Sequence, residues 1–282
     1  MKLCRYGKNG FEKPGIIDGD GRLRDLSKVV GNIGPNELSP RGLKMLAKVK
    51  PETLPLVANG PRLGVPFVGI GKLVAIGLNY SDHAKEAGMA IPPEPIVFMK
   101  ATTSISGPND DVIQPRRSTK LDWEVELGIV IGSKAQYVDE QNALEHVAGY
   151  CVVNDISERA FQLATSQWDK GKGFDSAGPV GPWLVTTDEI KDPQNLDLWL
   201  DVNGKRMQSG NTRTMIFGCA HIVSHVSQYM TLLPGDVITT GTPPGVGMGV
   251  KPNPMFLKPG DVMTLGIRGL GEQKQKVVAY SG

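Results

Sequence analysis

Residues 122–132 read DWEVELGIVIG, an acidic pair set into an apolar run. Side chains alternate between faces along a strand, so Glu124 and Glu126 project to one side and Trp123, Val125, Leu127 and Ile129 to the other. The two carboxylates then stand roughly 7 Å apart along the backbone. A second apolar run, YCVVND at 150–155, also reads as a strand and ends on Asp155. Two readings of these acids follow. Glu124 and Glu126 could be the wet face of an ordinary antiparallel strand. Alternatively the three acids form an all-carboxylate metal site. With no histidine or thiolate nearby in sequence, such a site suits Mg2+ or Mn2+ before Ca2+ and disfavours Zn2+. If the three are buried together, only a cation would offset their charge.

The rest of the composition narrows the class. A chain of 282 residues with 40% hydrophobic and 21% charged residues can bury a large core, as one large domain plus a small one or as two domains. Its 35 Gly and 21 Pro are a surplus that points to many turns and a β-rich fold. The 31 basic and 29 acidic residues nearly cancel and form no long run of one sign, which excludes a surface built for nucleic acid or anionic lipid. A small, acidic metabolite is the better partner. The start, MKLCRYGKNGFEKPG, has no secretory pattern, and no stretch approaches a membrane span, so the expectation is a cytoplasmic protein. Cys4, Cys151 and Cys219 are scattered without metal-type spacing, as reduced thiols of that compartment would be.

Residues 1–70 read as a small N-terminal β-rich domain and 71–282 as the larger one. In the first, KPGIIDGDGRLRDLS predicts a hairpin turning on its Asp-Gly pairs, SPRGLKMLAKV a helix, and the prolines from Pro51 to Pro66 a connector. The second opens with the strand LVAIGLNY and the helix SDHAKEAG, with Ser81 as N-cap and Gly88 as stop. After the DWEVELGIVIG strand come a helix around DEQNALEHV, the YCVVND strand, a helix-like ERAFQLA and a loop, SQWDKGKGFDSAGPVGPW. The tail adds strands at LDLWLDVNG, DVITTGTP and VMTLGIRG and the helix CAHIVSHVSQYM. This irregular order is not that of a doubly wound sheet; the fold class is β-rich α+β.

Most familiar motifs fail on mechanism. GVGMGV at 245–250 imitates a dinucleotide loop but follows two prolines and leads into no amphipathic helix, so no helix N-terminus is offered to a phosphate. A strand follows the glycines of GIGKLVAIG, and there is no Walker loop, HExxH or GxSxG. His221 and His225 have metal spacing on one helix, but their apolar neighbours favour helix packing, and His146 has no chemical context. His83 differs, because Glu86 three residues on shares its helical face and can fix the imidazole's tautomer and raise its basicity. Such a pair can activate water.

Taken in order, GLNYSDHAKE, FMK, WEVELGIVIG, VVNDISERAFQ, KGKGFDSAGPVG and ITTGTPPGVG resemble the fumarylacetoacetate hydrolase superfamily over residues 71–282. The likeness is strongest to bacterial members labelled ureidoglycolate lyase or 2,4-diketo-3-deoxy-fuconate or rhamnonate hydrolase. It implies a mixed β-sandwich roll with a small N-terminal domain, a homodimer, and one Mg2+ or Mn2+ per subunit on Glu124, Glu126 and Asp155. It further implies a water-activating dyad, His83 and Glu86, on a mobile lid helix, and an active-site lysine at Lys172, with Lys170 the alternative. Gln162 and Thr242 fall where substrate is oriented and its carboxylate held; Lys100 and Arg159 complete the substrate-binding set as supports. The implied reaction is hydrolysis of a carbon-carbon bond in an acylpyruvate-type 2,4-diketo acid, with a 2,4-diketo-3-deoxy sugar acid as the favoured substrate. Ureidoglycolate lyase, oxaloacetate decarboxylase or keto-enol isomerase chemistry on the same scaffold is the alternative, and a non-catalytic oxo-acid-binding protein the third.

Overall fold

In the computed structural model, which describes residues 1–281 apart from the side chain of Ala87, Val125–Ile131 is a strand buried along its whole length. It runs antiparallel to Val147–Asn154 on one side, with Val125 opposite Asn154 and Gly128 opposite Cys151. Its other neighbour, also antiparallel, is Val237–Thr239. The large sheet runs Leu23–Asp25, Lys13–Ile17, Lys2–Tyr6, Gly178–Thr186, Val147–Asn154, Val125–Ile131, Val237–Thr239, Leu73–Gly77 and Ile96–Lys100. Most pairs are antiparallel, but Val237–Thr239 joins Leu73–Gly77 in parallel. A second sheet of five strands, Lys205–Asn211, Asp197–Val202, Val262–Ile267, Gly271–Ala279 and Val112–Gln114, accompanies it. This is the mixed, strand-dominated architecture expected from sequence.

Both faces of the central strands are covered, each by its own core. Trp123, Val125, Leu127 and Ile129 share one core with Leu198, Leu200 and Leu265 of the second sheet and with Ile222 and Val223 of the helix Cys219–Tyr229. Val130 and Val153 meet the other, built with Leu3, Ile16, Leu38 and Phe67 of the N-terminal segment. Each such side chain contributes about 1.5–3 kcal/mol by leaving water. The wet-face reading of the strand is thereby overturned, since the face that carries Glu126 also carries a packed Val130.

Four local expectations shift. The 122–132 strand breaks at Trp123–Glu124, between Leu121–Asp122 and Val125–Ile131. Ser81 is the first helical residue of Ser81–Ala87 rather than its cap, which is Tyr80, while Gly88 ends the helix in a left-handed conformation as expected. Glu140–His146 coils as a 3-10 segment. GPVGPW, read as loop because of its glycines and prolines, lies in the strand Gly178–Thr186; its register with Val147–Asn154 shifts between Tyr150 and Val152, which accommodates those residues. The N-terminal hairpin forms as read, with Ile17 opposite Leu23, and Asp18 accepts from the turn amides of Asp20 and Arg22. No helix among the described residues is long and apolar enough to cross a membrane.

Candidate active site

The break before Val125 is what assembles the acids. Asp155 N–H donates to Glu124 O (2.9 Å), and Glu124 N–H donates to Asn154 Oδ1 (3.2 Å), so the chain ends of the two strands are pinned together. Glu126, opposite Val153 in the ladder, comes in from the same side. One carboxylate oxygen from each of Glu124, Glu126 and Asp155 then lies within 4.8 Å of the other two, with residue exposures of 6%, 1% and 1%. Acids this buried need compensation. Lys172 Nζ bridges Glu124 and Asp155 at 2.7 Å each, Lys100 Nζ meets Asp155 at 2.5 Å, and Arg159 meets Glu124 at 2.5 Å and Asp122 at 2.9 Å.

Four acids, Asp122 included, thus face three cations, leaving one negative charge in excess. Glu126 carries the imbalance. It forms no ion pair among the described residues and accepts the Gly241 N–H (2.8 Å). Burial, with the charges of Asp155 and Glu124, pushes its carboxyl well above the ordinary range. Burial alone would raise Glu124 too, but Arg159 and Lys172 outweigh it and pull that carboxyl down to about 2. Although burial opposes its charge, Lys172 is held above its usual range by Asp155 and Glu124 and stays an ammonium; Lys100 is lowered by burial, which its contact with Asp155 offsets only in part. Three converging carboxyls, one of them without a cationic partner, fit a hard divalent cation held through oxygen, which would take the place of the proton on Glu126.

A cavity of about 310 Å³ opens over these acids and is walled by the predicted dyad. His83 Nδ1 lies 3.0 Å from Glu86 Oε2; with Glu86 ionised, Nδ1 carries the proton and Nε2 is the free base. Glu86 in turn accepts from Gly245 N–H at 3.1 and 3.2 Å. Here the glycine motif finds its use. Gly245, at φ +101°, has space only for a hydrogen, since a Cβ would fall 1.9 Å from Met207 O. Gly247 and Met248 donate their amides to the buried Asp122 (2.6 and 3.0 Å). The loop therefore serves carboxylates of the site, as the absence of a following helix already argued against phosphate.

Placement of the remaining predicted residues is mixed. Gln162 lines the cavity and lends Oε1 to Arg159 (3.0 Å), which leaves its amide donor free. Arg159 also lines it. Lys172, not the exposed Lys170, is the lysine of the site. Lys100 is corrected: sealed behind Asp155 and bonded to Ile156 O (3.3 Å), it does not border the cavity and supports a carboxylate instead of substrate. Thr242 borders the cavity, but its hydroxyl donates to Val125 O (2.9 Å) and accepts from Gln208 (2.8 Å), so that proton is not available to a substrate carboxylate. The cysteines are buried away from the lining, and burial pushes all three thiols up to about 12. Sequence reasoning missed Asp122, whose partners 37 and 125 residues away leave no local signal.

Residues 72–278, which hold every residue lining the site, match the profile of the family described as fumarylacetoacetate (FAA) hydrolase C-terminal. The chain belongs to the fumarylacetoacetate hydrolase family. It is 61% identical over 98% of both chains to a protein of Burkholderia cenocepacia whose name goes no further than hydrolase. Among solved structures, the fumarylacetoacetate hydrolase of psychrophilic Exiguobacterium antarcticum superposes with a TM-score of 0.89 at 37% identity, covering 99% of this chain and 100% of that one. A 5-carboxymethyl-2-hydroxymuconate delta-isomerase of Mycobacterium smegmatis gives 0.78 at 31% identity, with 100% of both chains covered. Maleylpyruvate hydrolase of Sphingobium sp. SYK-6, solved with manganese(II) and pyruvate, gives 0.84 at 27%, again over 100% of both. Hydrolases and an isomerase thus share the fold, and the chain is an enzyme of this family.

Proposed function

We propose that the protein is a divalent-metal-dependent hydrolase of acylpyruvate-type 2,4-dioxo acids, cleaving the bond between carbons three and four to give pyruvate and a carboxylic acid. The observation that carries this reading is the convergence of Glu124, Glu126 and Asp155 beneath a cavity walled by the His83–Glu86 pair. Mg2+ or Mn2+, held by the three carboxylates, would supply Lewis acidity to the oxo-carboxylate end of the substrate. The manganese and pyruvate of the Sphingobium enzyme support that assignment.

The chain's own groups then divide the work. His83 Nε2 takes a proton from water, and Glu86 steadies the imidazolium that forms. The hydroxide adds to carbon four, and the bond to carbon three breaks with its electron pair moving onto carbon three as the pyruvate enolate. A proton returned to carbon three completes pyruvate, while the hydroxylated acyl group leaves as the acid. The Lys172 ammonium and the free Gln162 amide favour the states in which negative charge grows on substrate oxygen, and losing one such donor costs roughly 100-fold in rate. A cytosolic homodimer with one ion per subunit is part of this reading.

Isomerisation is the second reading, favoured by the Mycobacterium smegmatis delta-isomerase on the same scaffold. Hydrolysis needs an activated water and proton shuttling alone does not. Pyruvate release from acetylpyruvate, with and without a chelator, tests the choice: it is expected to need Mg2+ or Mn2+ and to vanish in His83→Ala while that variant still binds the ion. Undiminished pyruvate release by His83→Ala would overturn the proposed base, and enol-keto exchange without cleavage would establish the isomerase.

A further inference from the structure

Beyond the acids, the cavity wall changes character. Met89, Phe98, Leu163, Trp168 and Met248 reach it from four separate segments, Leu163 and Trp168 sharing the link between the helices Arg159–Gln162 and Asp169–Lys172. Three of them are large apolar side chains left open to water, at 52% for Met89, 60% for Leu163 and 37% for Met248. Exposed apolar groups gathered at a cavity mouth mark a surface that a ligand covers.

The aromatic pair is built in. Trp168 stands edge to face with Phe98, ring centres 5.3 Å apart at 65°, and Phe98 in turn faces the Lys172 ammonium at 5.1 Å. Gly77 makes the room: a Cβ there would come within 2.5 Å of the Trp168 ring. The wall is thus continuous with the charged site through Phe98.

Polar side chains of the lining are meanwhile committed. Arg159 and Lys172 hold carboxylates, Glu86 is held by His83 and Gly245, and the Thr242 hydroxyl is turned inward. His83 Nε2 and the Gln162 amide are free, and the reaction uses both. Only Lys251, exposed at the rim, adds a further charge. A tail bearing several hydroxyls would leave water to lie against carbon and sulfur, and each unpaired group would lose affinity.

We propose that the acyl end of the substrate is a hydrocarbon chain or ring held on the wall of Met89, Phe98, Leu163, Trp168 and Met248, so that the enzyme selects acylpyruvates with apolar tails over the polyhydroxylated tail of a sugar acid. The inference rests on the hydrolase reading for its head group and replaces the sugar-acid tail expected from sequence.

Its test compares pyruvate release, under saturating Mn2+, from acetylpyruvate, hexanoylpyruvate, a polyhydroxylated 2,4-dioxo acid of equal length, and a dioxo acid ending in a second carboxylate. Burial is worth roughly fourfold per methylene, so kcat/KM for hexanoylpyruvate should exceed that of the hydroxylated acid by about tenfold or more. Trp168→Ala should cost the hexanoyl substrate about tenfold more than it costs acetylpyruvate; Gly77→Ala, which displaces the ring, should act in the same direction. Leu163→Asn, at an exposed position, should narrow the gap between the two tails without unfolding the chain. Equal or better turnover of the hydroxylated acid would overturn the proposal, and so would a preference for the dicarboxylate, which would assign the tail to Lys251. Calorimetric binding of 2-oxooctanoate against a hydroxylated 2-oxo acid of equal length, neither of which can be cleaved, separates the two layers: preference for the former together with no pyruvate release from any of the 2,4-dioxo acids would sink the hydrolase and leave the apolar wall standing.

Discussion

Asp122 shows how a single buried side chain joins the parts of this site. Its carboxylate takes Arg159 Nε at 2.9 Å and the amides of Gly247 and Met248, while Arg159 reaches on to Glu124. Removing one partner of a buried pair leaves an uncompensated charge, which typically costs about 3–5 kcal/mol. Asp122→Ala is therefore expected to lose stability of that order in urea unfolding, and Asp122→Asn, which keeps an acceptor for the amides, to lose less. In both, Arg159 is freed to draw Glu124 away from its neighbours, so turnover should fall further than stability alone explains. Unfolding midpoints matching the parent would show that Asp122 anchors nothing. Glu124, Glu126 and Asp155 were legible as candidates from their places in two apolar runs, with the ordered resemblance over residues 71–282 deciding between a wet face and a metal site. The break in the strand that lets Glu124 turn to Asp155 was not legible, and neither was Asp122, since its partners come from distant segments.

At the level of elements, the helix Ser81–Ala87 and the loop 245–249 work as one piece. The helix carries His83 and Glu86 one turn apart, and the loop presents Gly245 N–H to Glu86. Gly245→Ala must either abandon φ +101° or drive a Cβ into Met207 O; in either case the amide moves off Glu86. The expected result is a fall in kcat of about tenfold or more, a magnitude typical of a general base that has lost its orientation, with divalent-ion binding unchanged. Loss of ion binding in this variant would mean that the loop shapes the acids themselves. The helix was readable from its spacing and its Gly88 stop. The glycine run did not mislead, since the missing helix already argued against a phosphate loop; what misled was GPVGPW, whose prolines read as loop because the sheet that accommodates them is formed by residues far away in sequence.

Across the whole molecule, the first strands help build the framework on which the cluster of acids sits at the base of its cavity. Lys2–Tyr6 and Lys13–Ile17 extend the sheet that carries the site, and their apolar side chains help close the core that Val130 and Val153 share. Two cores, one on each face, fix the strands that carry Glu124, Glu126 and Asp155, while Lys172, Lys100 and Arg159 offset the charge of the acids. The fold class was legible from glycine, proline and strand content; that the central strands are buried on both faces was not, because a wet face and a charged site give the same alternation. Everything proposed for the chemistry depends on those acids holding one divalent ion. Titrating chelator-stripped protein with Mn2+, and following the free ion by electron paramagnetic resonance, measures this directly. One ion per chain is expected for the parent and none for Glu126→Gln, whose shape and Gly241 contact are kept; no binding by the parent, or equal binding by both, would contradict the account.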